Sequence, residues 1–173
     1  MIENLLYVIA SRPNVMQAVG HVAWFQVAPK ESHVLEVKRI FRYLKGMKEF
    51  GIWYPKGKYL SLIAYTDVDW RGCIDDWRST NGVVFYLGEF LVSWSSEKKS
   101  SISLSTVEAK YIATTTCCRQ VLWMKKTPTD IQVEYDEPIP IYCYNTKAIS
   151  ISKNPVMHSK TKNIPIKYHF LRE

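Results

Sequence analysis

The hydrophobic period changes near residue 50, and that change restricts the chain to folds that join a helical segment to a sheet. Before it, Val15, Val19, Val22, Ala23 and Phe25 recur at roughly helical spacing after Pro13, a residue suited to a first helical turn, and the pattern stops near Pro29. Val34, Val37, Ile40, Phe41 and Leu44 then form one stripe of an amphipathic helix with Gly46 as its C-cap. The rest of that helix is loaded with Lys38, Arg39, Arg42, Lys45 and Lys48. Such a face is either solvated, with cations favoured near the helix C-terminus, or a track for phosphates.

Beyond residue 50 the period is two. Phe50, Ile52 and Tyr54 alternate, 55–58 read as a turn, and Leu60, Leu62, Ala64 and Thr66 continue the alternation to Asp67. A polar loop with Gly72, Asp75 and Asp76 leads to runs at 83–87 and 90–94, joined at Gly88 and Glu89, which predicts three consecutive antiparallel strands. Ser105 and Glu108 have capping-box spacing, so a helix is expected from there to about Lys126, closed by Pro128, with Val107, Tyr111, Val121, Leu122 and Trp123 buried. A β-rich run at 139–144 and a helix at 146–152 follow. Three strands, helix, strand, helix is an α/β order in which the fourth strand lies parallel to the first.

The chain's 173 residues and 47% apolar content can supply a core, which excludes a disordered or fibrous chain. Its net charge of +7 favours polyanionic partners without requiring them. Cys73, Cys117, Cys118 and Cys143 have no metal-finger spacing, so a reduced intracellular protein, cytoplasmic or nuclear, is expected. The apolar run at 5–10 is too short to span a membrane, and Glu3 and Pro13 argue against a signal peptide.

Several strings carry more. LLYVIASRPN at 5–14 and KESHVLEVKRIFRYLKG at 30–46 resemble the connector between the reverse transcriptase and ribonuclease H regions of copia-type retrotransposon Pol polyproteins. AYTDVDWRG at 64–72, RSTNG at 78–82, LVSWSS at 91–96, LSTVEAKYIA at 104–113, IYCYNTKAI at 141–149 and KNPVMHSKTKNI at 153–164 are similar to successive blocks of the ribonuclease H region. The resemblance implies a helical connector at 1–49 and a ribonuclease H-like domain at 50–173 that lacks the family's last strand and helix.

It also implies an ancestral activity, hydrolysis of RNA in RNA–DNA hybrids by carboxylates that hold two Mg²⁺ ions. Mg²⁺ is a hard cation that takes oxygen ligands at about 2.0–2.1 Å, and the two ions sit roughly 3.5–4 Å apart, so carboxylates are needed. Asp67, at the end of the first strand, matches the family's first metal-binding Asp, and Asp69 is a neighbouring turn residue. Lys110 stands where the family has its helical Glu, and Tyr144 where it has the Asp of the fourth strand. Glu108 lies about 200° around the helix from Lys110 and has a capping role, and Asn145 should point to the opposite face of the strand. Asn163 and Pro165 replace a common His and Asp; His158 and His169 match family positions but read as surface or hydrogen-bonded residues. Trp53, Trp70, Trp94 and Trp123 read as core.

These substitutions imply that the copy neither binds Mg²⁺ nor cleaves. Two alternatives stay open. One is a residual module that holds nucleic acid through Lys38, Arg39, Arg42, Lys45, Lys48, Lys160, Lys162 and Lys167 without cutting it; the other is a weak metal-dependent nuclease rebuilt on Asp67, Asp69 and Glu108.

Overall fold

The computed structural model describes residues 1–56, 61–73, 76–129, 138–154 and 163–172, in two compact units, Met1–Gly57 and Lys58–Glu173. Leu60, Asp75, His158, Lys160 and Lys162 lie outside the described residues.

The first unit is helical: α1 Ile2–Val8, a 3-10 turn Pro13–Val15, α2 Met16–Ala23 and α3 Glu31–Gly46. Leu5, Val15, Val19, Val22, Val37 and Ile40 form its core, with Leu44 packed at the edge. Val34 and Phe41 belong to the expected α3 stripe but stay exposed, because they lie on its margin rather than at its centre. Gly46 is the last helical residue rather than the cap. The cap is Met47 (φ −108°, ψ 31°), so no left-handed residue is used.

No strand forms at Phe50, Ile52 or Tyr54, although they alternate; Phe50 and Tyr54 are exposed, so no apolar face exists there for a ladder to bury. The sheet of the second unit is built from β1 Leu62–Asp69, β2 Thr80–Leu87, β3 Phe90–Lys98 and β4 Ile141–Tyr142, in the order β3-β2-β1-β4. The first three are antiparallel and β4 is parallel to β1, so the unit is α/β with a mixed sheet. Gly88 (φ 63°) supplies the left-handed residue of the two-residue β2–β3 turn.

Helix α4, Thr106–Thr129, begins at the expected cap. Ser105 Oγ accepts the Glu108 N–H (3.1 Å), and the Glu108 carboxylate accepts the Leu104 N–H (2.9 Å). It runs one residue past Pro128. Ala109 and Ala113 pack on Val68, and Cys117 and Val121 on Ala64, Val83 and Phe85. Leu122 and Trp123 are exposed, against expectation, because they sit about 100° and 200° around the helix from Val121. Tyr111 and Ile112 bury a second side against Ala148 and Ile151 of α5 (Thr146–Lys153) and Ile164. A 3-10 segment, Ile166–Arg172, is tied down where Thr115 Oγ1 donates to the Tyr168 carbonyl (3.1 Å). Tyr111 Oη and His169 Nδ1 lie 3.2 Å apart, and His169 Nε2 is 3.2 Å from the Ile164 carbonyl.

Candidate functional site

In open α/β sheets, ligands gather outside the carboxyl ends of parallel strands, where connections diverge. Here that point lies between β1 and β4. Their pairing ends at Tyr65 with Tyr142, two residues short of Asp67. On its other side Asp67 pairs with Gly82 of β2. It therefore lies inside a strand that continues to Asp69, rather than at the strand's end. Leu62, Ala64, Thr66 and Val68 alternate inward, leaving Asp67 and Asp69 on the outward face.

The Lys110 ammonium of α4 is ion-paired to Asp67 Oδ1. The lysine side chain is only 17% exposed, whereas Asp67 is 69% exposed, so one partner is held by the protein and the other faces water. Lys110 of α4 thus meets the first-strand carboxylate. Tyr144 is different: it lies outside the ladder and is 87% exposed. The expected strand at 139–144 shrinks to two residues because the chain turns at once into α5, with Asn145 as its N-cap, accepting the Ala148 N–H at 2.8 Å. Asn145 is therefore a helix cap and not a strand residue facing away.

These donors do not fit a pair of hard dications. A fixed ammonium on the carboxylate supplies the charge that a metal would supply and repels a second cation. Among the described residues, no group of three His, Cys, Asp or Glu side chains is disposed to hold a metal. Glu108 is engaged in its cap, and Asp69 ends β1, paired with Thr80, with its carboxylate against Gly72. A Cβ at position 72 would meet that carboxylate, so a larger residue there would require the Asp69 side chain to turn away.

Beside this point, the loop between β1 and β2 holds an arrangement that periodicity did not disclose. Arg71 (φ 57°) and Trp77 (φ 56°) both adopt the left-handed conformation, at a cost of about 1–2 kcal/mol each. The Arg71 guanidinium lies 4.6 Å from the Trp70 ring centre and 5.5 Å from that of Trp77. Asp76 binds Lys98 (2.8 Å) and Arg78 (3.6 Å), and Lys98 donates to Cys73 Sγ (3.1 Å). The hydrogen bond from Lys98 holds the Asp76 carboxyl down at about 2. The only sequence signal was the density of Trp, Arg and Asp in one short loop.

Of the four tryptophans read as core, Trp53 and Trp123 are exposed; Trp70 is half-buried, with Nε1 donating to the Ser103 carbonyl (3.1 Å), and Trp94 is also half-buried. Lys38, Arg39, Arg42, Lys45 and Lys48 are exposed on the first unit. Lys167 is exposed on the second, 5.1 Å from the Tyr168 ring centre. Asn163 and Pro165 are exposed. No helix among the described residues is long and apolar enough to cross a membrane.

No family model and no solved structure matches the chain. Curated relatives do. The chain is 40% identical over 172 residues to the retrovirus-related Pol polyprotein from transposon RE1 of Arabidopsis thaliana, and 37% identical over 172 residues to that from transposon RE2. It is 35% identical over 173 residues to the Pol polyprotein from transposon TNT 1-94 of Nicotiana tabacum. Each match covers 99% of this chain but only 12% to 13% of the relative. The chain belongs to the retrovirus-related Pol polyproteins of copia-type transposons, of whose length it spans about an eighth.

Proposed function

We propose that this segment is the connector and ribonuclease H-like part of a retrotransposon Pol polyprotein, that it no longer hydrolyses RNA in RNA–DNA hybrids, and that it retains non-specific nucleic-acid binding. One observation carries the loss of cleavage: the Lys110 ammonium is paired with Asp67, the carboxylate that the resemblance assigns to metal. A buried-stem lysine there makes Mg²⁺ a competitor with a tethered cation. The strand order, with three antiparallel strands and a parallel fourth, supports a ribonuclease H-like fold.

Binding rests on charge. The exposed face of α3 carries Lys38, Arg42 and Lys45 one turn apart, flanked by Arg39, and the whole chain is +7. Each phosphate neutralised releases counterions, so affinity should fall steeply as salt rises. The test pairs two assays on the full chain: cleavage of a labelled hybrid with Mg²⁺ or Mn²⁺, and retention of the same hybrid from low to physiological salt. No cleavage with salt-sensitive retention supports the reading. Metal-dependent cleavage abolished by Asp67→Asn refutes the first half, and salt-independent retention refutes the second.

A further inference from the structure

Bulky residues rarely take positive φ, and they keep it only where their surroundings over-determine it. Trp77 does so, and the scaffolding around it is extensive. Its N–H donates to the Cys73 carbonyl (2.9 Å), and the Cys73 N–H donates to the Arg78 carbonyl (3.3 Å), closing the loop on both sides. Asp76, just before it, accepts the Arg78 N–H (3.2 Å) and holds the Lys98 ammonium (2.8 Å). Arg71 lies over the Trp77 ring, with its own N–H donating to the fully buried Ser79 hydroxyl (3.3 Å). Arg71 Nε is buried and has no hydrogen-bond partner among the described residues. Three unfavourable features, two left-handed backbones and a desolvated guanidinium N–H, therefore serve one geometry.

That geometry does not bury the indole. Trp77 remains 56% exposed, so its apolar surface is displayed rather than used in the core. We infer that Trp77 is a stacking platform for an unpaired nucleobase. A ligand of this surface must offer a flat π face to the indole and negative charge to the flanking cations. The Arg71 guanidinium beside the ring and the half-exposed Arg78, the next residue in the chain, which is paired with Asp76, are the nearby cations that a phosphate can meet. A base in a single strand satisfies both demands, whereas bases inside a duplex have their faces covered by neighbours. An apolar peptide would meet only the first. The inference deepens the binding half of the reading above and rests on it, since that reading supplies the backbone affinity to which stacking adds.

The test uses the full chain and three fluorescent probes of equal length: a thymidine oligonucleotide, an abasic deoxyribose-phosphate strand and a blunt duplex. Trp77→Gly removes the ring while suiting the left-handed backbone, so misfolding does not confuse the result. Trp77→Phe keeps a smaller platform, and Trp53→Ala removes an exposed tryptophan of the other unit. Wild type should bind the base-bearing strand more tightly than the abasic one. Trp77→Gly should lose that preference, weakening thymidine binding by about 5- to 100-fold while abasic binding is unchanged, with Trp77→Phe intermediate and Trp53→Ala like wild type. Equal binding of both single strands by wild type and Trp77→Gly overturns the stacking inference and leaves the charge-based reading standing. If wild type binds none of the probes, both fail.

Discussion

Removing one partner at a time from the Asp67–Lys110 pair should have unequal costs, because the two residues are unequally exposed. At an effective dielectric of about 20, unit charges about 4 Å apart attract by roughly 4 kcal/mol. Asp67 is 69% exposed, so screening reduces the pair toward the roughly 0.2–1 kcal/mol of surface bridges. What remains after each substitution then decides the outcome. Lys110→Met leaves a carboxylate that water can solvate and keeps an apolar stem in place, so it should destabilise by less than about 1 kcal/mol. Asp67→Ala leaves a lysine whose side chain is only 17% exposed without that partner, which should cost about 1–3 kcal/mol, as for other partly buried groups that lose their partner. Hydrogen exchange at the β1 and β2 amides across a urea series reads the opening free energy of this unit without contribution from the helical one. The double substitution should be close to Lys110→Met alone, since the stranded cation is gone. If Lys110→Met proves the more destabilising of the two single changes, the account of which charge the protein holds is wrong.

Asp76 titrates low because Lys98 hydrogen-bonds its ionised form, so its contribution to stability is full above its ordinary value of 3.8 and is lost as pH falls toward about 2. Carboxyl chemical shifts should place its midpoint near 2 in wild type and nearer 3.8 in Lys98→Met; an unchanged midpoint in the variant would falsify the assignment of cause. Burial pushes the Cys117 thiol up to about 12, so iodoacetamide at pH 8 should modify it only in urea, and modification of the native protein at Cys117 would contradict its packing against the sheet. Tyr111→Phe removes a fully buried hydroxyl that meets His169 and should cost about 0.5–1.5 kcal/mol, with faster exchange in 166–172; no change there would mean that the hydroxyl does not anchor that segment.

The sheet was legible where one face is buried. In β1 the alternation of Leu62, Ala64, Thr66 and Val68 is the burial itself, and Gly88 marks the turn that its conformation requires. Alternation alone misled at Phe50, Ile52 and Tyr54, where no partner strand gives it meaning. The α4 start was legible because Ser105 and Glu108 act locally, whereas Leu122 and Trp123 were misjudged because hydrophobicity does not say which side of a helix meets the sheet. Asp67 and Lys110 are 43 residues apart, and only the resemblance linked them before the fold did. Nothing local could announce the Arg71 and Trp77 arrangement, since a left-handed tryptophan runs against intrinsic preference and depends on the contacts of a closed loop.

Metal-dependent cleavage of an RNA–DNA hybrid by the full chain, measured beside Lys110→Glu and the double change Lys110→Glu with Tyr144→Asp, bears most directly on the claim that a tethered ammonium has displaced the metal. The account predicts no cleavage by wild type in Mg²⁺ or Mn²⁺, and Mg²⁺ binding by calorimetry that is absent in wild type and gained in the double variant. Hybrid cleavage by wild type that requires the metal and vanishes in Asp67→Asn, or a double variant that binds no metal, would contradict it.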